Sequence, residues 1–186
     1  FSDKYGFSAV YRKDASYRFA DSNKWSEFGS VSARWNIDKE DFMNGSVFDY
    51  LKLRVSYGTA GNQRINGGGY FTSPDLTRNL YATSSGYKGL PSIQILQLAN
   101  TTLKWETITQ SDIGFEFGIS KLGLSGEVDY YVKETSDLFQ SKPVSAINAI
   151  TSQSANIGTL FNRGVDLTIN YDLIKPKSDD AFSLSL

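Results

Sequence analysis

Leu122-Gly123-Leu124-Ser125-Gly126-Glu127-Val128-Asp129-Tyr130-Tyr131-Val132-Lys133 sorts its side chains by parity. Leu122, Leu124, Val128, Tyr130 and Val132 share one side of an extended chain, and Ser125, Glu127, Asp129 and Lys133 share the other. Successive side chains of a β-strand point to opposite faces, so this period of two predicts a ribbon with one oily and one ionic face. The same split recurs on both sides of the segment. Downstream, Val165, Leu167, Ile169, Tyr171 and Leu173 oppose Asp166, Thr168, Asn170 and Asp172. Upstream, Trp105, Ile113, Phe115, Phe117 and Ile119 oppose Lys104, Glu106, Asp112 and Glu116, while Leu51, Leu53, Val55 and Tyr57 oppose Lys52 and Arg54. About seven strands follow by this criterion, at 5–12, 27–37, 51–60, 103–119, 122–140, 156–173 and from 181 onward, arranged as an antiparallel meander. The predicted class is all-β.

Charge placement says what the oily face touches. Lys13, Glu27, Glu134 and Arg163 break the parity rule, and each lies at one end of its strand. With strands running alternately up and down, all four ends meet at one rim. Arg or Lys on a lipid-facing position costs ~2–4 kcal/mol at mid-bilayer and little at the interface, so a membrane would impose this pattern. A solvent-exposed sheet would not need it. The links agree: three long ones (13–26, 61–102, 141–155) fall on that rim, and the tight Ser120-Lys121 turn and the 174–180 link on the other. The 38–50 link is longer than a short periplasmic turn should be. The fourth to sixth runs exceed the roughly 9–11 residues that cross a bilayer, and the roughly 5–6 of soluble strands. An odd set of strands cannot close the even-numbered barrel usual in bacteria, and an open edge in hydrocarbon costs several kcal/mol per unpaired group. The chain is therefore expected to form a partial barrel domain over 1–186, with both edges paired to strands outside it.

Composition removes most chemistry. Cysteine and histidine are absent, which excludes disulfides, thiolate nucleophiles, imidazole bases and most transition-metal sites. No metal, cofactor or catalytic residue is expected. With 19 basic and 20 acidic residues no global field attracts nucleic acid. No apolar run is long enough for a transmembrane helix, although barrel strands leave no such run.

Several stretches together resemble the SusC/RagA family of TonB-linked outer-membrane proteins: Leu51 to Gly58 (LKLRVSYG) with Gly61-Asn62-Gln63, then Leu103-Lys104-Trp105-Glu106-Thr107, Asp112-Ile113-Gly114 and Asp129-Tyr130-Tyr131. Asn156-Ile157-Gly158 and Asn162-Arg163-Gly164-Val165-Asp166-Leu167 complete the series. Asn100-Thr101-Thr102 departs from the family's usual Asn-Pro-Asp or Asn-Pro-Glu, and Asp166 replaces the more frequent Glu. The resemblance implies a 22-stranded barrel of the outer membrane of Bacteroidota-type Gram-negative bacteria. It also implies a plug and a TonB-contacting segment outside this chain, a SusD-like lipoprotein lid, and import of a glycan, oligosaccharide or peptide. A homodimer of the transporter–lid pair is compatible with it.

Candidate sites stand beside plainer readings. Lys52, Arg54, Lys104, Glu106, Asp112, Glu116, Glu127, Asp129 and Asp166 would line the lumen and face the plug. Glu127 and Asp129, about 7 Å apart by strand geometry, also suit an inverting glycosidase. Tyr70, Phe71, Tyr81 and Tyr87 of the 61–102 loop could stack on sugar faces or pack the loop itself, with Arg64, Arg78 and Lys88 holding anionic groups. Trp35, Trp105, Tyr130 and Tyr171 would form lipid-facing aromatic girdles, or the core of a soluble carbohydrate-binding or adhesive sandwich. Gly67-Gly68-Gly69 lacks the Gly-Lys-Ser/Thr and the helix of a phosphate-binding loop, so it reads as a turn.

Overall fold

The computed structural model describes residues 3–64, 76–146, 150–174 and 184–185. Seven strands form one antiparallel sheet in the order β1-β2-β3-β6-β7-β10-β11: β1 (Tyr5–Ala15), β2 (Trp25–Asn36), β3 (Tyr50–Asn62), β6 (Glu106–Ile119), β7 (Leu124–Ser136), β10 (Thr159–Ile174) and β11 (Leu184–Ser185). Each is hydrogen-bonded to the next strand of the sheet along the chain, as the alternation implied.

Four strands escaped the parity reading. Two small hairpins, β4 (Leu80–Ser85) with β5 (Pro91–Gln97) and β8 (Phe139–Pro143) with β9 (Ser152–Asn156), rise from the long connections. The runs expected at 122–140 and 156–173 are interrupted because Asp137 (φ 57°) and Gly158 (φ 102°) occupy the left-handed region. The two segments stay joined across the break by Ile157 N–H to Leu138 O at 2.8 Å. Hairpin β8–β9 is thus a bent continuation of the β7–β10 pair.

Pairing register aligns the apolar parity into rows. Tyr5, Trp35, Leu53, Phe115, Val128 and Leu167 stand side by side across six strands, and Ala33, Val55, Ile113, Tyr130 and Val165 form the next row. Among the described residues no second layer covers this face: Val165 and Leu167 remain more than 60% exposed. The sheet has no core of its own. The largest buried cluster, Phe19, Phe28, Leu76, Leu103 and Trp105, sits instead where the long connections leave the sheet.

That cluster corrects one expectation. Alternation predicts an outward Trp105, but β6 starts only at Glu106, and the Trp105 ring is buried between Phe19 (5.5 Å) and Phe28 (5.7 Å). Its indole N–H donates to Lys24 O at 3.2 Å, satisfying the one polar atom that burial would otherwise orphan. Lys104 likewise lies ahead of the strand and pairs with Asp137 (2.8 Å) among the connections. Neither belongs to the sheet faces assigned to it from alternation.

Candidate functional site

The ionic face is organised around Arg54, at the centre of β3. Register sets it beside Gly114 of β6, with Asp129 of β7 and Asp166 of β10 further along the same row. Its Nη1 reaches Glu116 Oε1 (3.2 Å), and its Nη2 bridges Glu127 Oε1 and Asp129 Oδ1 (3.2 Å). Gly114 allows this convergence, since a Cβ there would collide with Asp129 Oδ1. Lys52 takes the second oxygen of Glu116 at 3.0 Å, and Ser56 donates to Asp112 at 2.9 Å. A planar guanidinium carries its donors on separate arms, so Nη1 can meet Glu116 while Nη2 meets Glu127 and Asp129; an ammonium offers all its donors from a single atom. Arg34 and Lys133 line the same depression, a cavity of about 830 Å³ over this face.

Glu127 and Asp129 therefore share one guanidinium. Glu106, at the first position of β6, is buried and accepts from Asn62 Nδ2 at 2.6 Å. On the opposite face Trp35 stacks on Tyr5, with ring centroids 6.4 Å apart, and Tyr130 and Tyr171 are partly exposed. From Leu173 up β10 to Arg163, a strand rise of ~3.3 Å and a tilt near 40° give ~25 Å, the height of a barrel's apolar band. Lys13 and Glu27 pair at 2.8 Å on the rim where Glu134 and Arg163 also lie.

That rim carries the long connections. Asn23 Nδ2 donates to Leu103 O (3.1 Å), Asn100 Nδ2 to Ser154 O (2.8 Å), Gln153 Nε2 to Ala99 O (2.6 Å), and Asn156 Nδ2 to Lys104 O (2.8 Å). Three connections are thereby stitched into one body over the aromatic cluster. Tyr81 lies on β4 and Tyr87 at the tip of its hairpin, both strongly exposed, with Lys88 5.4 Å above the Tyr87 ring. Arg64 is exposed, and the Arg78 carbonyl accepts from Gln97 Nε2 at 3.0 Å. Tyr70 and Phe71 lie outside the described residues. Sequence reasoning missed the amide stitches because their partners are 52 to 80 positions apart.

At the other rim, residues 37–49 return to the apolar face. Glu40 accepts from Tyr5 OH (2.6 Å), Trp35 Nε1 (3.1 Å) and Lys4 Nζ (3.0 Å). The Tyr5 hydroxyl, with Lys4 and the indole, draws the Glu40 carboxyl down to about 2. Asp38 accepts from Leu51 N–H at 3.3 Å and pairs with Lys39 at 3.2 Å.

A meander with one uncovered apolar face, one ion-paired face and elaborated connections at a single rim defines the wall of an outer-membrane-type β-barrel. The chain belongs to the TonB-dependent receptor family: the model of the "TonB dependent receptor-like, beta-barrel" domain matches residues 1–186. It is a family of receptors and transporters and not of enzymes. A TonB-dependent receptor of Formosa agariphila is 34% identical over 184 residues, 98% of this chain and 17% of that protein. The TonB-dependent receptor SusC of Bacteroides thetaiotaomicron is 31% identical over 170 residues, 90% of this chain and 17% of that protein. Among solved structures, the RagAB peptide importer in its closed-closed state superposes with a TM-score of 0.81 at 28% identity, covering 95% of this chain and 19% of that one. The chain thus spans less than a fifth of the length of these relatives.

Proposed function

We propose that the chain forms part of the barrel wall of a transporter that imports an oligosaccharide or peptide across the outer membrane of a Bacteroidota-type bacterium, driven by TonB. The observation that carries this reading is the two-faced sheet. Its uncovered apolar rows would meet acyl chains, and the Arg54 network would face a lumen and its plug. The edges of the sheet would pair with further strands to close a barrel of 22, because open edges in hydrocarbon leave backbone groups unsatisfied at several kcal/mol each. Peptide as cargo draws support from the likeness to the RagAB importer. Tyr81, Tyr87, Arg64 and Arg78, with Tyr70 and Phe71, are proposed to contact cargo or a SusD-like lipoprotein lid at the outer rim. Lys52, Arg54, Asp112, Glu116, Glu127, Asp129 and Asp166 are proposed to line the lumen, and Trp35, Tyr130 and Tyr171 to meet lipid.

Uptake is the test. Cells producing the full-length protein should accumulate labelled oligosaccharide or peptide, lose accumulation when TonB is deleted, and yield a lid lipoprotein on detergent purification, as a single or doubled transporter–lid pair. Accumulation that is indifferent to TonB would overturn the coupling. Recovery of the protein in the aqueous phase without detergent would favour a soluble carbohydrate-binding or adhesive sandwich.

A further inference from the structure

The 37–49 connection is long beside the tight 120–123 turn of the same rim. Its path explains the length. Instead of crossing under the ionic face, it turns beneath the apolar one, because Glu40 is held by the two outward-facing side chains Tyr5 and Trp35 and by Lys4. Backbone and side chain secure the base on both flanks: Asn36 N–H donates to Lys4 O at 2.7 Å, Asn36 Nδ2 donates to Asp3 O at 2.6 Å, and Asp38 caps Leu51 N–H. Beyond this clasp the connection presents Phe42, 71% exposed, and Val47, 59% exposed, on either side of a turn through Gly45 at φ 81°.

Held in water, these two large apolar side chains would leave their apolar area without the gain that burial brings. Glu40, two positions ahead of Phe42, is bound to Tyr5 and Trp35 of the apolar face, and Asp49, two positions after Val47, is bound at Gly118 and Ser120, so the exposed stretch starts at the lower edge of the apolar rows and ends at the neighbouring turn of the same rim. Aromatic rings with polar ends, here a hydroxyl and an indole N–H both bound to Glu40, are the side chains that settle at headgroup level.

We propose that residues 37–49 form an interfacial foot, lying along the barrel's lipid-facing side with Phe42 and Val47 seated in the periplasmic leaflet among phospholipid glycerol backbones and upper methylenes. The foot rests on the barrel-wall reading above. It assigns this connection the task of anchoring the wall at a set depth, with Glu40 as the clasp that directs it outward.

The chain contains no cysteine, so a single one can be introduced and labelled with an environment-sensitive fluorophore. The full-length receptor, with any cysteine elsewhere replaced by serine, is placed in phospholipid nanodiscs and labelled at Phe42→Cys or, as reference, at Val55→Cys on the apolar face of β3. The position-42 label should lose intensity to phospholipid carrying a nitroxide near the headgroup and resist aqueous iodide. The position-55 label should respond to a nitroxide deep in the acyl chain. Adding Glu40→Gln should open position 42 to iodide and leave position 55 unchanged. Iodide quenching at 42 with lipid quenching at 55 would overturn the foot and spare the wall, as would protection of 42 from both quenchers. Loss of lipid quenching at 55 would overturn both, and an unaltered position 42 in the Glu40→Gln protein would overturn the clasp.

Discussion

At Arg54 three carboxylates, from Glu116, Glu127 and Asp129, meet one guanidinium that is itself partly open to solvent, and only Glu116 has a second cation, Lys52, beside it. Solvent limits each ion pair to no more than about 1 kcal/mol. Removing the cation also leaves Glu127 and Asp129 facing one another uncompensated. Arg54→Gln should therefore destabilise the full-length receptor by about 1–2 kcal/mol, seen as a lower heat-unfolding midpoint in detergent. Arg54→Lys should restore only part of it, since the compensating charge returns while the two-armed fork does not. Glu40 offers a second residue-scale test. Its folded-state value, about 2, lies below the ordinary 4.5, so its contribution is complete above pH 4.5, declines as pH falls, and is gone once pH passes below about 2. The acid limb of a stability-against-pH curve should accordingly be shallower between pH 4.5 and 2 in the Glu40→Gln protein, which is less stable at neutral pH.

Among the elements, the connections at the long-loop rim act together. Phe19, Phe28, Leu76, Leu103 and Trp105 form their shared core, and side-chain amides tie their backbones. Trp105→Ala should cost about 3–5 kcal/mol of that unit's local stability, as large aromatic truncations in cores do. Limited proteolysis should then cut within 76–105 and 137–158 much faster than in the parent, while strands β3, β6 and β7 stay protected by their ladders. If the parent and the variant are cut alike, the cluster does not hold the connections.

Over the whole molecule, the separation of faces predicts opposite responses to one charge. Leu167→Arg adds a guanidinium to the middle of the uncovered apolar face, at a cost of ~2–4 kcal/mol if that face meets the bilayer centre. Thr168→Arg, on the opposite face of the same strand, should be tolerated. Outer-membrane yield of heat-modifiable full-length protein should drop for the first and hold for the second. Equal yields would mean that lipid does not contact the apolar rows.

The sequence by itself determined the strand class, the meander, the two faces and the rim bearing the stray charges. Each depends only on a period of two and on the cost of charge in hydrocarbon, which act on every residue locally. The segments Leu51 to Gly58 and Asn162 to Leu167 also carried the family resemblance without any knowledge of packing. Tertiary structure alone decided the rest. Trp105 obeys the outward parity yet is buried, because Phe19 and Phe28 arrive from distant segments to enclose it. Asp137 and Gly158 interrupt two runs that hydrophobic alternation would have continued, since alternation records which face a side chain takes and not the sign of φ. Arg54 became a hub only when pairing register brought carboxylates 62 to 75 positions away into range, and Glu40 a clasp only when Lys4 and Tyr5, 36 and 35 positions away, joined the nearby Trp35.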